Sequence, residues 1–207
     1  SSDLVILLGN FYCQGSEIDA AVLKRNSITV IDFKDYGGKI HFSENDRWFA
    51  DDVEVRGGNK RNPFHQVRTN RFAVLERIKE LGNLPSGREP NLGHITGMVL
   101  FHKAIVFDDN QISGPISRWF HVVDFDHGAE RLSQITSREI DLSNEDLDAI
   151  VSGFGIPKYT PVGAPIQLEP NSADEAPSAL DDLPAPLTSS LDRINEFIDS
   201  DEQLLVI

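Results

Sequence analysis

The sequence predicts an α/β protein: a mixed sheet flanked by helices, followed by an acidic, proline-rich linker. Three observations point there. Short apolar runs separated by turn residues fill the first third of the chain, one long segment then carries apolar residues at helical spacing, and strand-like runs return after it. With 207 residues, 40% hydrophobic and 25% charged, the chain has enough length for one core of roughly 150 residues plus a tail.

The opening runs are Asp3 to Cys13, Glu17 to Leu23 and Ile28 to Lys34, punctuated by Gln14-Gly15-Ser16 and Lys24-Arg25-Asn26-Ser27. That pattern predicts an antiparallel meander. A hairpin is expected from Lys39 to Val55, turning at Glu44-Asn45-Asp46, with Trp48, Phe49, Val53 and Val55 partly buried. Asn62-Pro63 then supplies an N-cap and a first-turn proline. Phe64, Val67, Val74, Leu75, Ile78 and Leu81 recur at helical spacing until Gly82, which makes this the best-defined helix. Strands are expected again over Ile95 to Phe107 and Trp119 to Phe125, with a loop at Gly114-Pro115. Ser143-x-x-Asp146 opens a helix over Asn144 to Phe154 by capping-box logic.

Composition changes near Tyr159. From there on the chain has ten Asp/Glu and one Arg, and seven of its eleven prolines lie between Pro157 and Pro186. The formal charge of −14 is therefore mostly a property of the tail. We expect a domain over 1–158, a linker over 159–190, and a terminal helix and strand over 191–207. No run approaches the ~20 apolar residues of a membrane helix, and the N-terminus lacks the pattern of a secretory signal, so a cytoplasmic protein is expected. Cys13 has no partner for a disulfide or a CxxC pair. The six histidines show no HxxH or HxxxH spacing, and there is no GxSxG and no glycine-rich phosphate loop.

Chemistry concentrates in the third run. Strand residues alternate faces, so Asp32 and Lys34 project together while Ile31 and Phe33 point away. An aspartate inside Val30-Ile31-Asp32-Phe33 interrupts a buried run, a place where carboxylates need a partner, a metal or a function. Glu17, Asp19 and Ala21 share a face of the preceding run, and pairing of the two would set Asp19 beside Asp32. Two carboxylates and the backbone carbonyl of Phe33 would suit Mg²⁺ or Mn²⁺, leaving room for water and phosphate. Lys34 would then orient the attacking water or stabilise developing charge. The plain alternative is a pair of solvated strand aspartates with Lys34 as their ion-pair partner.

Glu17-Ile18-Asp19, then Val30-Ile31-Asp32-Phe33-Lys34-Asp35-Tyr36-Gly37-Gly38, Trp48, and Asn62-Pro63-Phe64-His65-Gln66 opening a helix together resemble the nuclease-related domain, NERD, of the PD-(D/E)xK restriction-endonuclease-like superfamily. The resemblance covers roughly residues 3–125. It implies a restriction-endonuclease-like fold, with Asp19 as the first motif aspartate, Asp32 and Lys34 as the (D/E)xK pair with Asp in place of the commoner Glu, and Gln66 as the glutamine on the helix after the sheet. Gln66 also lies one turn from Asn70 on the polar side of that helix, where it can hydrogen-bond substrate or a catalytic residue. Family members usually carry a helix with a glutamate ahead of the first strand. Here only Ser1-Ser2-Asp3 precede it, which bears on activity more than on fold.

Lys24, Arg25, Lys60, Arg61, Arg68, Arg71 and Arg77 are candidates for phosphate contact, with a solvated helix face as the alternative. Asp51, Asp52 and Glu54 argue against a broad basic patch. Leu191 to Phe197 reads as an amphipathic helix and Gln203 to Ile207 as the start of a buried strand. Where this nuclease-like domain is joined to a superfamily 1 helicase or related ATPase, a similar helix and strand run into the Walker A loop. The expected function is a Mg²⁺-dependent DNA endonuclease or nickase within a helicase or ATPase. The alternative is an inactive nucleic-acid-binding or protein-docking module of the same fold.

Overall fold

In the computed structural model, which describes residues 4–58, 60–156 and 204–206, the three opening runs form β1 (Val5–Cys13), β2 (Ser16–Lys24) and β3 (Ser27–Lys34). They pair antiparallel in sequence order. Gln14 and Gly15 both take positive φ, 48° and 74°, between Cys13 and its partner Ser16. Such a two-residue loop matches the natural twist of the strands it joins.

The expected hairpin is a three-stranded meander, with β4 (Gly38–His41), β5 (Trp48–Ala50) and β6 (Val53–Val55) joined by turns around Glu44-Asn45-Asp46 and at Asp51-Asp52. Asp51 supplies the left-handed φ of 50° that closes the second turn; Asp tolerates that region better than most residues. Helix α1 (Pro63–Glu80) follows as expected. The Ile95 to Phe107 run divides into β7 (Thr96–Phe101) and β8 (Ile105–Val106), because His102 to Ala104 turn the chain out of one sheet and into another. After α2 (Gly114–Ser117), one turn where a loop is expected, come β9 (Phe120–Asp124), α3 (Phe125–Gln134) and α4 (Asn144–Phe154). A final strand, β10 (Leu204–Val206), pairs parallel with Val5–Leu7 of β1. The 159–190 linker and the expected helix at Leu191 to Phe197 lie outside the described residues.

The larger sheet has the order β10-β1-β2-β3-β7-β9 and the smaller one β6-β5-β4-β8. Each is mixed: β3, β7 and β9 run parallel, as do β4 and β8. Under α1 and α4 one face of the large sheet buries Ile6, Leu8, Ile28 and Val30 against Val74, Ile78, Leu147 and Ile150. The alternate residues Ala20, Val22, Ile31, Met98, Leu100 and Val123 form the opposite core, with Leu132 of α3 packed on it. Each such side chain contributes about 1.5–3 kcal/mol when fully buried. A third cluster, Ile40, Trp48, Phe64, Val67, Phe101 and Phe120, ties the small sheet to the N-terminal half of α1. Close approach of that helix to β7 needs Gly97, where a Cβ would stand 2.2 Å from Val67 Cγ1.

Helix α3 is absent from the sequence expectation because Val122-Val123-Asp124-Phe125 reads as unbroken strand. Asp124 ends that strand by accepting from the His127 N–H at 3.2 Å, the bond of a helix N-cap. The capping box of α4 forms as expected, with Ser143 and Asp146 bonded reciprocally.

Asn62 joins the two layers. It is fully buried; its Oδ1 accepts from the His65 N–H at 2.9 Å, capping α1. Its Nδ2 reaches the carbonyls of Ser43, Glu44 and Asp46 at 3.1, 3.3 and 2.6 Å. Asn62→Ala removes a cap and takes the donor from three partly buried carbonyls, so urea unfolding is expected to show a loss of about 2–4 kcal/mol. Asn62→Asp keeps the cap but sets a carboxylate oxygen against those carbonyls, and should lose at least as much.

Candidate functional site

Strand β3 lies in the middle of the large sheet, between β2 and β7. Residues 27–32 are all buried, so Asp32 enters the interior as the last of six. Its Cα partner on β7 is Val99, and the Lys34 partner is Phe101. The β2–β3 ladder ends at Ala20 and Ile31, which sets Asp19 opposite Asp32 one residue further on. Strand alternation lapses there: Ile18 and Ala21 both join the core under α1. Asn10, across from Asp19 on β1, has a φ of 43°. A local irregularity of this kind re-aims a side chain. The Asp19 Oδ2 takes the Phe33 N–H at 2.8 Å.

The structure thus brings Asp19, Asp32 and Lys34 together. Lys34 Nζ lies 2.7 Å from Asp32 Oδ2, with the two side chains 11% and 6% exposed. Lys34 meets this buried oxygen as an ion pair, and among the described residues no other donor reaches it. Burial pushes the Asp32 carboxyl up from 3.8 to about 6, against the pull of Lys34 and with a further push from Asp19. Two carboxylates brought together at the end of a buried strand suit a hard cation that keeps most of its own water. A fuller cage is not built: no group of three or more His, Cys, Asp or Glu able to hold a metal occurs among the described residues. Phe33 stands between the two motif residues and is 46% exposed.

Gln66 lies on the first turns of α1. Its Nε2 donates to Asn70 Oδ1 at 3.0 Å, and Asn70 Nδ2 donates to the Glu17 carbonyl at 3.3 Å, two residues before Asp19. Gln66 is therefore linked to the strand that carries Asp19 through Asn70. Asn70 is only 1% exposed. The sequence reading set this pair on the polar side of the helix, but Asn70 falls between Val67 and Val74 in the apolar stripe and is buried there.

A further group passed unnoticed in sequence lies where β3 and β7 end. Asp35 Oδ1 stands 3.3 Å from Lys103 Nζ and 3.5 Å from His102 Nδ1. The Lys103 hydrogen bond leads in holding Asp35 below the usual carboxylate range.

The basic residues do not converge. Lys24 and Arg25 sit at the β2–β3 turn, the opposite end of β3 from Asp32, about 20 Å away at ~3.3 Å per strand residue. Lys24 Nζ binds the carbonyls of Leu132 and Ile135 at 2.6 and 2.9 Å, closing the end of α3. Arg25 pairs with Asp141 at 3.2 Å. Arg71 is spent on packing: it donates to the carbonyls of Ile95 and Gly93 and lies 3.9 Å over the Trp119 ring. Burial lowers its pKa to about 10, with a smaller push from Arg68. Arg77 donates to the Gly153 carbonyl. Lys60, Arg61 and Arg68 are exposed in and just before the first half of α1, and Arg61 donates to the Asn45 carbonyl at 2.8 Å.

Comparison with known proteins gives one family. No curated protein and no solved structure matches the chain. The family described as "nuclease-related domain" matches residues 1–107, a stretch that runs from β1 through β8 and contains Asp19, Asp32, Lys34 and Gln66. The chain belongs to the nuclease-related domain family, NERD.

Proposed function

We propose that this domain is a Mg²⁺- or Mn²⁺-dependent DNA endonuclease or nickase of the PD-(D/E)xK type. One observation carries the reading: the Asp32 carboxylate is buried in the middle of a sheet beside a second carboxylate, Asp19, with Lys34 as its ion-pair partner. A structural ion pair needs one carboxylate and one cation; the second carboxylate held against the first adds repulsion that a bound cation would relieve. Membership of a nuclease-related family supports the same chemistry.

In this reading Asp19, Asp32 and the Phe33 carbonyl hold the cation, which when bound polarises the scissile phosphate and activates water for attack. With a cation held there Asp32 would depend less on Lys34, whose ammonium would be available to orient the attacking water or to meet charge developing on the phosphate. Gln66 positions substrate or a ligand. The exposed cations Lys60, Arg61 and Arg68 would contact DNA phosphates; Lys24, Arg25 and Arg71 were expected to do so and are bound to other groups. The parent chain we take to be a cytoplasmic helicase or ATPase, on the acidic proline-rich stretch and the apolar run that follows it. The codons after Ile207 test this, a GxxxxGK[ST] loop being the expected sequence. No helix among the described residues is long and apolar enough to cross a membrane.

The dispersal of the basic residues favours a second reading, a docking module that has kept the fold without cutting. Plasmid nicking separates the two. Lys34→Ala is expected to lower kcat roughly 10²–10³-fold, and Asp32→Ala to abolish metal-dependent nicking. Undiminished nicking by either variant would remove the proposed site.

Acidity gives an independent check. A cation needs Asp32 ionised, and with its carboxyl near 6 the affinity for Mn²⁺ should fall roughly tenfold per pH unit below that point. Titration calorimetry at pH 7.5 and 5.0 reads this directly. Stability moves the other way: the folded state holds the Asp32 proton more tightly than the unfolded chain, so without metal this group's contribution falls as pH rises from about 4 to about 6. Lys34→Met, which removes the lowering partner, should carry the carboxyl midpoint above 6 in a carbon-13 titration.

A further inference from the structure

The orientation of the Gln66 side chain is fixed by a fully determined chain of hydrogen bonds. A backbone carbonyl only accepts, so the Asn70 atom facing the Glu17 carbonyl at 3.3 Å must be its NH₂. That choice turns Asn70 Oδ1 toward Gln66, 3.0 Å away. An amide oxygen only accepts as well, so Gln66 must meet it with Nε2. Flipping either amide sets oxygen against oxygen inside the protein, where Asn70 is 1% exposed and an unpaired polar contact costs about 1–3 kcal/mol. The assignment therefore follows from chemistry at the Glu17 end.

What remains to Gln66 is Oε1 and the second Nε2 hydrogen, with the oxygen turned away from Asn70. That oxygen stands 3.3 Å from the point a Cβ on Gly58 would occupy, and Gly58 has a φ of 56°, where glycine is favoured. Any larger residue there would crowd the oxygen.

We propose that Asn70 is a positioning residue that fixes which way the Gln66 amide faces, so that Gln66 presents its carbonyl oxygen to a hydrogen-bond donor of the bound substrate complex. The donor is an O–H or N–H group: a water held by the cation, or the edge of a base. This rests on the nuclease reading given above. The same bond to the Glu17 carbonyl fixes β2 two residues from Asp19, so one buried amide sets both the helix-borne and a strand-borne member of the site. Partners of this kind typically cost 10–100-fold in activity or metal affinity when removed.

The test has two arms on the whole chain. Side-chain amide NMR of the wild-type protein should show the Gln66 NH₂ with one downfield, slowly exchanging proton. In Asn70→Ala that signal should move to solvent-like shift and exchange. A solvent-like Gln66 amide in the wild type would overturn the proposal, and this measurement needs no variant to fold. In the plasmid assay Asn70→Ala and Asn70→Ser should lower kcat about tenfold or more with KM changed less than twofold, and Asn70→Ser, which keeps a polar group, should lose less. Unchanged kcat in a folded Asn70→Ala protein would likewise overturn it. If the wild type nicks no DNA while its Gln66 amide is protected, the nuclease reading has failed and the relay has not.

Discussion

The burial of one carboxylate organises this molecule. Moving Asp32 from its ordinary 3.8 to about 6 corresponds to roughly 3 kcal/mol of disfavoured ionisation. A domain with a few kcal/mol of net stability tolerates that only where the surroundings impose it. Here the imposition comes from β3, whose other inward residues, Ile28 and Val30, are fully buried. Sliding the strand to expose Asp32 would turn those side chains to solvent, since a one-residue slip exchanges the faces of the whole strand. Lys34 offsets part of the cost, and Asp19 adds to it, so the pair of carboxylates is held together against its own repulsion.

The sheet topology determines which groups gather at that point. Antiparallel pairing returns the start of β2 to the end of β3, which is why Asp19, early in its strand, meets Asp32, late in its own. Parallel pairing of β3 with β7 and β9 brings the C-terminal ends of all three strands to the same edge. Crevices at such edges are where open α/β sheets usually bind ligands. Helix α1 then has to lie with its first half over this end. Asn62 pins its N-terminus to the loop around Glu44, Gly97 lets Val67 approach β7, and Asn70 reaches Glu17. Three polar or minimal side chains, each unlike the apolar residues around it, position the helix.

Much of this was legible in the sequence, and the parts that were not share a cause. The three opening strands, the bounds of α1 and α4, and the proximity of Asp19, Asp32 and Lys34 follow from periodicity, turn residues and caps, all local signals. Helix α3 was missed because its cap, Asp124, sits inside an apolar run that continues unbroken to Phe125. Glu17, Asp19 and Ala21 were expected to share one strand face, but Asn10 on the neighbouring strand disturbs the alternation, and no residue of β2 announces it. The basic residues were grouped by nearness in sequence. Lys24 and Arg25 lie only a few positions before Asp32, yet a strand running straight between them makes that separation a physical distance. Asn70 needed both the helix face and the identity of the β2 atom it meets.

The dispersal of those cations constrains how nucleic acid would approach if the nuclease reading holds. Residues 1–158 carry an excess of acid, and the chain as a whole stands at −14, so the long-range field does not draw a polyanion in. Asp19 and Asp32 would repel the very phosphate they are to act on, and Lys34, while paired to Asp32, has no charge to spare. A divalent cation held there would reverse this locally, cancelling the two carboxylates and leaving the Lys34 ammonium in excess. In such a site phosphate binding and cation binding are one event, and DNA affinity would depend on the metal before it depended on any basic surface. The reading that places metal at Asp32 thus also explains how an acidic domain could do without a basic groove.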